Sequence, residues 1–307
     1  MRPLNRRVIA AFLGVIVIWS TTPLAIKWSG QGLGYLFGAA SRMVIGLFCM
    51  LAVGLVLRQK IPLSRPACLT YGVIAVQIYG AMLAVYWGAQ FIPSGWVSVI
   101  FGLTPMLTAV MAALWLHEAS LSPLKLLSYV CGFTGLLVMF GSALEFGRDA
   151  ALGMAAVVLA AFIQAASAVL IKRIDAGLAA GSQVTGGLML AVPMYLATWF
   201  GQGGQWPVSF PVTSVLSIAY LGVIATTVGF MLYFYVLTHL PATRVALITL
   251  ITPVLSLLLG NSVNHEALTG NIVLGAALII GALLLQQLGG NAPKFRRGNR
   301  HRPPVAR

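Results

Sequence analysis

Ten long apolar runs, separated by short charged or Pro/Gly-rich breaks, fill most of this 307-residue chain. They lie at about 8–28, 36–57, 68–91, 94–116, 124–143, 151–172, 182–201, 213–237, 243–263 and 269–288, and each has roughly the 20 residues that a helix needs to cross about 30 Å of hydrocarbon. Inside hydrocarbon every backbone N–H and C=O must be satisfied without water, which leaves helices and closed barrels as spanning structures. These runs are continuous rather than alternating, so they read as helices. With 59% hydrophobic and 8% charged residues and a mean hydropathy of +0.94, the chain lacks the polar surface to coat a water-soluble globule. The expected fold class is an all-α membrane protein of ten transmembrane helices. The connections are too short to hold a soluble catalytic domain.

The ten spans are two copies of one unit. Residues 92–119, IPSGWVSVIFGLTPMLTAVMAALWLHEA, align at a constant offset of 148 with residues 240–267, LPATRVALITLITPVLSLLLGNSVNHEA. The copies share Pro93/Pro241, Val97/Val245, Ile100/Ile248, Thr104/Thr252, Pro105/Pro253, Leu107/Leu255, His117/His265, Glu118/Glu266 and Ala119/Ala267. At offset 145, residues 18–28 (IWSTTPLAIKW) match residues 163–173 (IQAASAVLIKR). Five spans per copy is an odd number, so the second copy enters the membrane from the opposite side and the repeat is inverted. The expected organisation is a cytoplasmic N-terminus at 1–7, a first repeat at 8–143, an outer linker at 144–150, a second repeat at 151–288 and a basic, disordered tail at 289–307. Halves related by an axis in the membrane plane can exchange conformations, opening one site alternately to either side.

Charge sets the expected orientation. With the N-terminus inside, 16 of the 19 Lys and Arg fall on inner segments; Lys27 and Arg148 lie outside, and Arg42 falls within span 2. This is the positive-inside bias of a bacterial inner-membrane protein with both termini cytoplasmic. The net charge of +14 therefore points to anionic lipid as the partner of the tail, and not to nucleic acid. Arg2, Arg6 and Arg7 before an apolar run resemble a signal peptide, but no small-x-small cleavage site follows, and the run reads as an uncleaved first span. Cys49, Cys68 and Cys131 show no metal or disulfide framework and read as structural thiols.

These residues support a family resemblance. Ten spans in two five-helix units, W-S…P…K in span 1, Arg in span 2, and the doubled P…TP…E pattern across spans 4 and 9 resemble the EamA-type transporters of the drug/metabolite transporter superfamily, over residues 8–288. One departure is the histidine before each glutamate, His117 and His265, where the family usually has a small residue. The resemblance implies export of amino acids or other small metabolites, with spans 1, 3, 4, 6, 8 and 9 around a central cavity, no catalytic residue and no cofactor or metal. The small multidrug exporters of the same superfamily use a mid-membrane carboxylate in span 1, and span 1 here has none.

Side chains on those spans then become candidates. Span 3 repeats Tyr79, Tyr86 and Gln90 at intervals of seven and four, which puts hydroxyl and amide groups on one face. Trp19, Phe101, Thr104, Gln164, Thr227, Phe230 and Thr252 complete an uncharged polar and aromatic lining suited to a small amphipathic solute. Membrane serines and threonines also bond their own backbone, so each hydroxyl has a structural alternative. Pro105 and Pro253 each remove a helix donor, and a fixed kink and a hinge both remain open for them. Arg42 is expected to snorkel to the outer interface, Lys27 to hold either a structural role or a solute carboxylate, and Glu118 and Glu266 to cap helices. Facilitated export and proton coupling both remain open, as do a monomer and a homodimer. The alternatives are a multidrug or cation exporter with proton coupling and an intramembrane enzyme acting on lipid or peptide. For the enzyme, neither HExxH, a mid-membrane carboxylate pair nor a Ser-His arrangement appears.

Overall fold

Prolines and glycines set where the helices begin and end. In the computed structural model, which describes residues 6–116, 123–240 and 242–290, Pro66 falls in the first turn of its helix and helices start just after Pro93 and Pro211, where the missing N–H costs nothing. The helices are α1 (Arg6–Ser29), α2 (Tyr35–Val56), α3 (Arg65–Gly88), α4 (Ser94–Trp115), α5 (Pro123–Phe146), α6 (Arg148–Ile174) and α7 (Ala180–Gly201). They continue with α8, built of Val212–Ala219, Tyr220–Val228 and Gly229–His239, then α9 (Ala242–Asn264) and α10 (Gly270–Gly290). Among the described residues ten helices are long and apolar enough to cross a bilayer, and there is no strand. Leu55, Phe48, Phe133, Phe200 and Leu288 stand exposed on the outer surface, the placement expected where lipid is the solvent.

One expected boundary moves. The stretch 144–150 is mostly helical, because nothing interrupts α5 before Gly147; that residue, at φ +114, turns the chain directly into α6. His117, Glu118 and the tail lie outside the described residues.

The packing carries the repeat. α1 lies on α9 as α6 lies on α4; α3 on α6 as α8 on α1; and α3 on α7 as α8 on α2. The pairs α2–α7, α4–α9 and α5–α10 map onto themselves when each helix is exchanged for its counterpart five along. Lys27 at the end of α1, Ser94 at the start of α4 and Glu266 after α9 meet at one membrane face. The copied motif end of α4 therefore lies at the other face, and the two five-helix repeats are inverted.

The most extensive of these crossings is α5–α10. A Cβ on Gly135 would stand 2.7 Å from the Gly275 carbonyl, and one on Gly275 would stand 2.6 Å from Met139 Cγ. Lipid supplies no hydrophobic drive between helices, so close backbone approach through small residues is what lets dispersion hold this pair together. Gly281 on the same helix faces nothing within 4 Å. Gly275→Leu is therefore expected to lower the unfolding midpoint in detergent by an overpacking cost of about 1–3 kcal/mol, while Gly281→Ala leaves it unchanged or slightly raised; equal effects at both positions in a thermal-shift measurement would contradict the assignment.

Candidate transport site

Helical regularity fails at three places, each on a helix expected to line the cavity. α3 winds as a π-helix at Gln77–Ala81, and α8 does so at Tyr220–Val228. α4 is interrupted at Gly102–Leu103, just before Thr104 and Pro105. Such breaks shift backbone groups out of their regular i−4 pairing, and in a bilayer these groups must find other partners. The Tyr195 hydroxyl of α7 donates to the carbonyls of Ile78 (2.9 Å) and Tyr79 (3.2 Å). In α8, Thr226 and Thr227 donate five residues back, to Leu221 (2.8 Å) and Gly222 (3.3 Å). Gln286 of α10 donates to the Pro105 carbonyl at 3.0 Å. α9, by contrast, runs unbroken through Pro253.

Arg42 stands at the junction of these elements. It was expected to reach the interface, but its side chain is only 8% exposed, and Nε donates to Thr226 Oγ1 at 3.2 Å, halfway along α8. A charged residue at the bilayer centre costs about 2.5–3.5 kcal/mol on insertion scales. One hydrogen bond to a charged group returns about 1.5–3 kcal/mol, yet Nη1 is buried with no hydrogen-bond partner among the described residues. Near it lies Tyr195, which two of the candidates from α3 also approach. The Tyr79 hydroxyl shares a 2.6 Å hydrogen bond with Thr198, and its ring meets Tyr195 edge-on at 5.1 Å. Tyr86 is fully buried, its hydroxyl also unpartnered among the described residues. Arg42, Tyr79 and Tyr86 are all near enough to the Tyr195 hydroxyl to act on it electrostatically.

The other candidates are dispersed. Trp19 packs on Tyr233 in a tilted ring contact with centroids 4.8 Å apart, tying α1 to α8. Gln90 sits exposed at the end of α3 and bonds the Tyr86 carbonyl at 3.2 Å. Phe101 and Gln164 are half-buried, as is Phe230; Thr252 is buried. Thr104 and Pro105 line a hollow of about 440 Å³ between α4 and α6 that extends to Lys172, and the Thr104 hydroxyl meets no partner among the described residues. Thr108 in the same hollow bonds the Thr104 carbonyl at 2.7 Å, the backbone role that membrane threonines often take. Tyr195 and the Arg42–Thr226 pair went unassigned from sequence. Their signal was the Arg itself, since a guanidinium seven residues into an apolar span needs polar partners.

At the opposite face from Lys172, Glu266 ties three segments together. Its Oε2 accepts from the backbone N–H (2.8 Å) and hydroxyl (2.9 Å) of Ser94 at the start of α4. Oε1 accepts from Asn264 Nδ2 at 2.8 Å and faces Lys27 Nζ at 3.4 Å, while Nζ also donates to the Ile92 carbonyl at 3.0 Å. Trp28 Nε1 donates to Asn264 Oδ1 at 3.0 Å. A carboxylate at a helix N-terminus meets unpaired N–H groups and the positive end of the helix dipole, which is why the single acid in this loop serves as the capping group. Lys27 is thereby engaged within the chain. Burial pushes the Glu266 carboxyl up, but the hydrogen bonds from Ser94 and Asn264 and the charge of Lys27 outweigh it and hold the group below its ordinary value of 4.5.

An inverted repeat of ten membrane helices, with broken helices meeting a polar centre, is an architecture shared by many multi-pass membrane transporters. The chain belongs to the EamA-like transporter family, whose pattern matches residues 6–141 and 151–286. It is 27% identical to an uncharacterized transporter, YoaV, of Bacillus subtilis, over 89% of this chain and 94% of that protein. It is likewise 27% identical to a probable amino-acid metabolite efflux pump of Escherichia coli, over 90% and 93%. A probable terminal-alkyne amino-acid exporter of Streptantibioticus cattleyicolor is 23% identical, over 90% and 92%. A solved crystal structure 21% identical in sequence superposes with a TM-score of 0.63, covering 92% of this chain and 97% of that one, and shares the fold. The family and these relatives are transporters, so the intramembrane-enzyme alternative is set aside.

A depressed carboxyl contributes stability that is present above its ordinary value and lost as pH falls through the folded value. Acidification is therefore expected to release the Glu266 tie only below pH 4.5, seen as faster hydrogen exchange at residues 90–96 and 260–268. Glu266→Gln should show that faster exchange already at pH 7, with no further acid step. A release centred well above pH 4.5, or an unchanged acid step in the variant, would contradict the assignment. Gly260→Ala should act in the same direction, since a Cβ there collides with the Glu266 carboxylate.

Proposed function

We propose that this chain exports small amphipathic metabolites, amino acids or close relatives, across a bacterial inner membrane by alternating access between its two repeats, 8–143 and 151–288. The observation that carries the reading is the packing symmetry: the most extensive contacts between the repeats map onto one another or onto themselves when each helix is exchanged for its counterpart, so two arrangements of similar energy are available to one set of helices. The relatives described as amino-acid efflux pumps and exporters support the direction and the solute class. The positive-inside bias supports an N-in, C-in orientation, which sets Glu266 at the outer face and the hollow between α4 and α6 toward the cytoplasm.

In this reading Trp19, Tyr79, Tyr86, Gln90, Phe101, Thr104, Gln164, Thr227, Phe230 and Thr252 meet the solute at successive stages of its passage. Pro105 and Pro253 act as hinges. The α4 break at Gly102–Leu103 supports the first, and the unbroken α9 is the same device in its other setting. The buried, uncompensated guanidinium of Arg42 disfavours the cation-exporter alternative, since a cationic solute in the polar centre would face like charge.

Cells overproducing the chain are expected to accumulate less of at least one amino acid in an efflux panel that includes nucleosides, polyamines and cationic drugs. Trp19→Ala should change the ranking of exported solutes by roughly one order of magnitude, a few contacts' worth of binding energy, with yield and monodispersity retained. Unchanged accumulation of every compound would sink the exporter reading.

A further inference from the structure

We infer that Arg42, together with Tyr86, is the anchor for a carboxylate on the transported solute. Both lie within electrostatic reach of the same Tyr195 hydroxyl. The inference rests on the exporter reading above and narrows it to carboxylate-bearing solutes. Among the described residues Arg42 is a buried cation with no carboxylate partner. The chain has five acids, Glu118, Glu145, Asp149, Asp175 and Glu266, and all lie outside the interior of the spans. Glu145 is in the last turn of α5, Asp149 in the first turn of α6, and Asp175 just beyond α6. Glu266 is committed to Ser94 and Lys27, and Glu118 follows the end of α4 in the sequence. A guanidinium at membrane depth is normally matched by such a group; here the match must come from outside the chain.

The unmet bonding capacity has the shape of a carboxylate. Arg42 Nε is satisfied by Thr226, while Nη1 is buried and unpartnered among the described residues. The Tyr86 hydroxyl is in the same condition. Their neighbours are already engaged, Tyr195 with the Ile78 and Tyr79 carbonyls and Tyr79 with Thr198. What remains is a pair of buried donors, one from α2 and one from α3, both within electrostatic reach of Tyr195 and without an acceptor among the described residues. A carboxylate is acceptor-only, carries one charge against one guanidinium, and fits the planar fork of Arg in a way that a Lys ammonium does not reproduce. A dianion would leave a net charge uncompensated in the bilayer, and a neutral amide would add two donors where donors are in excess. The edge-on Tyr79 and Tyr195 rings supply an apolar wall for the rest of the solute.

The test uses the full chain in proteoliposomes loaded with radiolabelled L-leucine, L-phenylalanine, or their C-terminal amides, with sodium chloride and sodium acetate as competitors. Wild-type protein is expected to move the acids at least about tenfold faster than the amides, because a buried donor set left unpaired rejects the analogue that lacks its partner. Acetate should compete and chloride should not. Arg42→Gln should collapse the acid-over-amide ratio toward one, with Arg42→Lys and Tyr86→Phe intermediate. Amides moved as fast as acids by the wild type would overturn the inference, as would chloride competing as well as acetate, or folded Arg42→Gln protein retaining the preference. Should Arg42→Gln fail to fold, the wild-type comparison and the two milder variants still decide. Wild-type protein that moves neither acids nor amides, nor any compound of the efflux panel, is a different result: it removes the exporter reading itself, and the carboxylate anchor with it.

Discussion

In hydrocarbon a backbone carbonyl without a partner costs several kcal/mol, and the arrangement of this protein follows from where its helices incur that cost and what meets it. Seven of the ten spans are continuous α-helix, three of them through an internal proline (Pro23, Pro193 and Pro253). The other three, α3, α4 and α8, depart from it, and every departure recruits a polar side chain: Tyr195 to the π-helical turn of α3, Thr226 and Thr227 to that of α8, Gln286 to Pro105 in α4. These demands gather hydroxyls at the middle of the bundle, and the gathered hydroxyls make a place where Arg42 can be buried. The polar centre is thus a consequence of irregular backbone, and the irregular backbone is tolerated because the centre exists.

The same logic governs the face that carries Glu266. A helix starting at Ser94 exposes unpaired N–H groups, and the carboxylate that satisfies them belongs to the other repeat. Lys27, Ile92, Asn264 and Trp28 are drawn into the same set. Cap, ion pair and inter-repeat contact are therefore one interaction, so any rearrangement that separates α4 from the end of α9 must break all three together. That cooperativity suits a gate, which should be shut or open with little between.

Much of this was legible in the sequence because its causes are local. Span length and continuity gave the ten helices, the spaced Pro-Thr-Pro-His-Glu matches gave the duplication, and an odd number of spans per copy gave the inversion. Pro105 marked the break in α4, and Glu266 was recognisable as a capping group although its partner was not. The π-helical turns are hidden: neither Gln77–Ala81 nor Tyr220–Val228 contains a proline, and the carbonyls of the first are met by Tyr195 of α7, distant in sequence, while those of the second are met by Thr226 and Thr227 within α8 itself. Arg42 was misjudged for a related reason. Its distance from the helix end permitted snorkelling, and only the position of Thr226, 184 residues away, decides against it. Tyr195 was missed because α7 was not among the helices that the family resemblance placed around the cavity.

In the proposed transport cycle the two faces open in opposition, with the Glu266 tie holding one shut. This opposition is tested most directly by electron–electron distance measurements on spin-label pairs at corresponding places in the repeats: Gln31 with Ser262 across the tied face, and Leu114 with Arg173 across the other. All four positions are exposed. Comparing the wild type with Glu266→Gln, the account predicts a longer Gln31–Ser262 distance together with a shorter Leu114–Arg173 distance. Distances that change in the same sense, or that stay fixed when the tie is removed, would contradict it.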